Sequence, residues 1–187
     1  MLAPLLNCVH IDADETCRQL LEPEAEGWQG LTRIFGSKYI TEDGSINRPV
    51  LRKDLFADKE LRRTINSVVH PLVKREIITQ MDRIIALDST SKVLVEVPLL
   101  YEVGWENLFD TVVVVYADYE TCLNRLMDRD GTDKLTAAKE MESQLPLAEK
   151  VSKADYVIDN SGVLSDTNKQ VKHLADLLNG NSEPRPA

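Results

Sequence analysis

Hydrophobic residues fall along this chain at two spacings, and the spacing separates strands from helices. Short, nearly unbroken apolar runs occur four times, at residues 8–12, 92–98, 111–116 and 154–158. The second, KVLVEVP, is apolar on both faces, as a buried parallel strand is, and Pro98 closes it. The third, TVVVVY, is β-branched almost throughout.

Between these runs apolar residues recur every three or four positions. Leu31, Ile34 and Phe35 share one face of a helix over 27–35. Leu61, Ile65, Val68, Val69, Leu72, Val73, Ile77, Ile78, Met81, Ile84 and Ile85 keep helical spacing through most of 47–87. Pro49 and Pro71 are expected at first-turn positions there, where a missing N–H does no harm. Further helices are expected over 15–21, stopped by Pro23; from an Asp118 cap to residue 129; over 134–150, broken at Pro146; and over 163–178. Residues 2–7 read as the tail of a helix, 41–45 as a turn, and 179–187 as a disordered tail. Strands alternating with helices predict an α/β domain with a parallel sheet flanked by helices. The helical stretch 47–87 exceeds what a crossover needs and reads as an inserted subdomain.

Composition narrows the function. The 187 residues carry a net charge of −9, which argues against a broad nucleic-acid surface. Cys8, Cys17 and Cys122 lie far apart without metal spacing, consistent with reduced thiols and a cytoplasmic protein. No apolar run approaches a membrane span, and the opening MLAPLLNC lacks the charge of a secretory signal.

The chemistry-bearing residues cluster at the ends of expected strands. Asp12 and Asp14 follow the first, at the end of an α/β strand where ligands bind. Two carboxylates there suit a general base or a magnesium-linked water, while one Asp could equally cap the next helix. Arg125 and Arg129 share a helix face and suit phosphate oxygens, or simply a solvated helix end. His70 precedes Pro71 at an expected helix start, as a structural cap or an anion contact. Arg48, Arg52, Lys53, Arg62 and Arg63 make the insertion locally basic. Asn160, in the turn after the last strand, could read a base edge.

Together VHIDADETCRQLLEP, DGSINRPVLRKDLFAD, HPL, VPLLYEVG, NRLMDRDG and SQLPLAEKVSKADYVIDNSG resemble dephospho-coenzyme A kinase, in that family's order and spacing. The resemblance implies a P-loop kinase-like fold: a core over 1–46, 88–130 and 152–178, a helical substrate subdomain over 47–87, and a lid over 131–151. It implies phosphorylation of the ribose 3′-hydroxyl of dephospho-coenzyme A by ATP and Mg²⁺, the last step of coenzyme A synthesis, with no nucleic-acid or membrane partner. By resemblance Asp14, Arg125 and Arg129 are catalytic. Asp12, Arg18, Arg48 and His70 bind the substrate, and Gln144, Lys150 and Asn160 bind the nucleotide. Glu96 stands where many members carry Asp, and no metal ligand is assigned. The family begins with a strand, a glycine-rich loop and a helix ahead of the DAD strand. No GxxxxGK[ST] occurs in the sequence, so the 187 residues are expected to lack the triphosphate cradle. A non-catalytic or truncated member that binds coenzyme A-like ligands or a protein partner is the alternative.

Overall fold

The computed structural model describes residues 1–180, apart from the side chain of Phe56. From residue 181 onward the expected tail lies outside the described residues. The elements run α1 (Leu2–Leu6), β1 (Val9–Asp12), α2 (Ala13–Leu20), α3 (Glu26–Phe35), α4 (Arg48–Ala57), α5 (Lys59–Leu87) and β2 (Val93–Glu96). Then follow β3 (Val113–Tyr116), α6 (Tyr119–Asp130), α7 (Lys134–Glu142), α8 (Leu147–Lys153), β4 (Tyr156–Asp159) and α9 (Leu164–Leu178). Contacts divide the chain into two compact units, Cys8–Pro98 and Met1–Asn7 with Leu99–Ala187.

The fold is α/β with parallel strands, as the apolar runs predict. The ladders, however, join the four strands two by two rather than in one sheet: β1 with β2, and β3 with β4. In the Cys8–Pro98 unit, Val9 pairs with Val93 and Asp12 with Glu96, so both strands end side by side on carboxylates. Helices α2, α3 and α4 pack on α5. The helix α5 buries Ile65, Val69, Val73 and Ile77, four residues apart and therefore on one face. A Cβ added to Gly30 of α3 would come within 2.7 Å of Val68, so glycine permits that close approach.

Pro71 departs from expectation. It lies inside the 29-residue α5 instead of opening a helix. Its ring deprives the Ser67 carbonyl of the usual ladder donor. The helix persists because its buried face continues unbroken on both sides, while Pro71 itself is exposed. His70 is consequently a mid-helix residue, not a helix cap.

In the other unit, Val113 pairs with Tyr156 and Tyr116 with Asp159. Ile158, Val171 and Leu174 form a core between β4 and α9, with Leu2, Val113 and Leu178 at its margin. Helix α1 packs on α9, and Asn179 Nδ2 donates to the Leu5 carbonyl at 3.2 Å. Asp118 caps α6 as expected, accepting from Thr121 N at 2.9 Å, and Pro146 stands at the N-cap of α8.

Candidate active site

Asp12 accepts the backbone N–H groups of Asp14 and Glu15 at 2.8 and 3.1 Å, which makes it the N-cap of α2. The Asp12 carbonyl also takes the hydroxyl of buried Thr16 at 2.9 Å. The cap fixes the first turn and with it Asp14. Burial raises the Asp14 carboxyl above its ordinary pKa; the negative charges of Asp12 and Glu96 add to that, and Arg18 opposes it. Arg18 donates to Glu15 at 2.7 Å on an exposed surface. His10 Nε2 lies 3.4 Å from Glu96 Oε2.

Cys17, one turn beyond Asp14, has its thiol raised by burial and by Asp14, while Arg48 and Arg18 pull it down. Exposed Arg48, in the first turn of α4, therefore acts on the same end of α2 as Arg18. His70 is half-buried, and burial lowers its pKa, favouring the neutral ring. Within this unit the structure brings Asp12, Asp14, Arg18, Glu96 and Arg48 into one electrostatic neighbourhood. The charges that act on Asp14 do not include His70.

In the other unit, Arg125 and Arg129 occupy the exposed second half of α6. Arg129 engages its neighbour Asp130 in a fork, Nε to Oδ1 at 2.7 Å and an Nη to Oδ2 at 3.0 Å. The charge of Arg125 lowers the Cys122 thiol against a larger rise from burial. At the carboxyl ends of β3 and β4, Asn160 N donates to the Tyr116 carbonyl at 2.6 Å, and Asn160 Oδ1 accepts from buried Thr167 at 3.0 Å. Asp118 N donates to Ser161 Oγ at 2.9 Å, tying the same turn to the start of α6.

Lys150 is 8% exposed and pairs with Glu102 Oε1 at 2.6 Å. Gln144 Oε1 lies 3.5 Å from the Lys150 ammonium. Sequence reasoning gave Glu102 no role. It entered only as the Glu of the VPLLYEVG block that carries the resemblance, and its partner stands 48 positions away. No described group of three or more His, Cys, Asp or Glu is gathered to hold a metal.

This arrangement places a carboxylate of raised proton affinity at the end of one parallel strand pair, and a polar turn at the end of the other. The family model for dephospho-CoA kinase matches residues 2–166. The chain belongs to the dephospho-coenzyme A kinase family. The dephospho-CoA kinase of Syntrophotalea carbinolica is 38% identical over 177 residues, covering 94% of this chain and 83% of the relative. That of Bacillus licheniformis is 39% identical over 166 residues, covering 89% and 82%. Among solved structures, the dephospho-CoA kinase of Campylobacter jejuni superposes with a TM-score of 0.67 at 29% identity, covering 96% of this chain and 90% of that one. The Thermus thermophilus protein TT1252 gives 0.74 at 27% identity, covering 97% and 90%. Among the described residues of this family member, no helix is long and apolar enough to cross a membrane.

Proposed function

We propose that this chain acts as a dephospho-coenzyme A kinase, with Asp14 as the base that orients the acceptor hydroxyl. The observation that carries the reading is the Asp12 cap, which fixes Asp14 at the carboxyl end of β1 with its proton affinity raised. A carboxylate of raised pKa is a better proton acceptor. The ribose 3′-oxygen of dephospho-coenzyme A attacks the γ-phosphorus of ATP. The new O–P bond forms as the bond to the β,γ-bridging oxygen breaks, the hydroxyl proton passes to Asp14, and ADP leaves. Magnesium would supply charge neutralisation at the phosphates when bound with ATP, and no residue of this chain is assigned to hold it.

Arg18, Arg48 and His70 hold the acceptor, with residues 47–87 as the substrate subdomain. Asp12 serves that site through the cap. Arg125 and Arg129 meet the phosphates, and Arg129 must exchange Asp130 to do so. Gln144, Lys150 and Asn160 serve the nucleotide, with residues 131–151 as the lid and the remaining α/β elements as the core. Reduced Cys8, Cys17 and Cys122 suit a cytoplasmic setting.

The test is incubation with ATP, Mg²⁺ and dephospho-coenzyme A, with mass analysis for the 3′-phosphorylated product. Asp14→Asn is expected to lower turnover by about 10²- to 10⁴-fold while leaving dephospho-coenzyme A binding largely intact. Product formation unaffected by that change would overturn the assignment of Asp14.

A further inference from the structure

The turn that follows β2 and the start of α8 meet through two neighbouring residues. Glu102 Oε1 lies 2.6 Å from Lys150 Nζ, with the two side chains 18% and 10% exposed, and also accepts the backbone N–H of Leu145 at 3.0 Å. Beside it, the Lys153 ammonium sits 5.7 Å from the centre of the Tyr101 ring. Lys150 and Lys153 are three apart on α8 and share a face, so consecutive Tyr101 and Glu102 receive one face of that helix. Glu102 thereby ties both ends of the Gln144–Lys150 segment: the backbone where the chain leaves α7, and the ammonium one turn into α8.

The second oxygen of Glu102, Oε2, is buried and has no hydrogen-bond partner among the described residues. A carboxylate held this way depends on its cation. Removing one member of a buried pair leaves an uncompensated charge, and removing both does not.

We propose that Glu102 is a positioning residue that clamps Leu145 N–H and Lys150, setting the Gln144–Lys150 segment in the shape that takes the nucleotide. The clamp rests on the nucleotide assignment of Gln144 and Lys150 only for its functional half. Glu102 acts through Lys150 and touches no substrate.

The test compares the 187-residue chain with Glu102→Gln, Lys150→Met and the double variant, by three measurements. Amide exchange at Leu145 should quicken by about ten-fold or more in both single variants, in proportion to the loss of a charge-assisted bond, with β4 amides unchanged. Lys150→Met should melt below the double variant, because it alone strands the buried carboxylate. Binding of methylanthraniloyl-ATP should weaken about ten-fold in Glu102→Gln, and Glu102→Gln should add nothing in the Lys150→Met background. Unchanged Leu145 exchange in both single variants would overturn the clamp. A full additional loss of binding from Glu102→Gln on top of Lys150→Met would overturn action through Lys150. Failure of the unmodified chain to bind the analogue would count against the nucleotide assignment and the positioning role with it, while Leu145 exchange still decides the clamp.

Discussion

Asp12 takes the backbone N–H of Asp14 at 2.8 Å, so one carboxylate of the pair fixes the position of the other. Two acids spaced for the same face of a strand thus have different tasks, because β1 ends at Asp12 and Asp14 already belongs to α2.

That division predicts two separable variants. Asp12→Ala should destabilise the chain by about 1 kcal/mol, the usual loss of an N-cap, whereas Asp12→Asn should nearly preserve it because asparagine caps about as well. Asp12→Asn also removes a negative charge that raises Asp14. The acid limb of the pH–rate profile should therefore move to lower pH, with turnover at neutral pH little changed. Thermal melts and pH profiles of both variants check this. An Asp12→Asn profile that matches the parent would mean that Asp12 does not act electrically on Asp14.

The raised pKa of Asp14 sets a pH dependence of stability. Its folded value lies above the ordinary 3.8, so the native state binds the proton more tightly than the unfolded chain. The stabilisation this gives is fully present below the unfolded pKa and is lost as pH rises through the folded pKa. At neutral pH the charged carboxylate is a burden on the fold. Asp14→Asn should therefore raise the melting temperature at pH 7, with the advantage shrinking toward pH 4. A variant less stable than the parent at pH 7 would show that the carboxylate makes a native contact stronger than its desolvation.

Pro71 in the middle of α5 predicts a gain on replacement. Proline in a helix interior costs about 3 kcal/mol relative to alanine, and its stiffening of the unfolded chain offsets about 0.4–1 kcal/mol. Pro71→Ala should thus raise the melting temperature. If the interrupted ladder positions neighbouring His70 for the acceptor, KM for dephospho-coenzyme A should rise in the same variant. A lower melting temperature would show that the surrounding helix is built around the proline ring.

The helices and four strands were legible because each carries a periodic apolar pattern, as in α5, where Ile65, Val69, Val73 and Ile77 fall four apart. Caps were legible where a side chain acts on its own neighbours, as Asp118 does. Pro71 misled because its local rule places proline at a helix start, whereas the packed face of α5 overrides it. Glu102 was visible as a letter of the VPLLYEVG block, but its role was hidden for a different reason. Its meaning comes from Lys150 and Leu145, and long-range pairs leave no spacing to read. The pairing of strands two by two was likewise beyond apolar runs, which mark a strand without naming its neighbour.

The last prediction concerns phosphate handling. Transfer in P-loop kinases relies on a glycine-rich loop, its lysine and its magnesium-binding hydroxyl, and no GxxxxGK[ST] occurs in the 187 residues. A version that also carries a strand, a GxxxxGK[ST] loop and a helix should form 3′-phosphorylated product much faster than the 187-residue chain. Product assays on the two side by side decide it. Equal product formation would mean that the triphosphate is cradled by groups already present, with Arg125 and Arg129 the first to replace, since their guanidiniums are the exposed forked donors on α6.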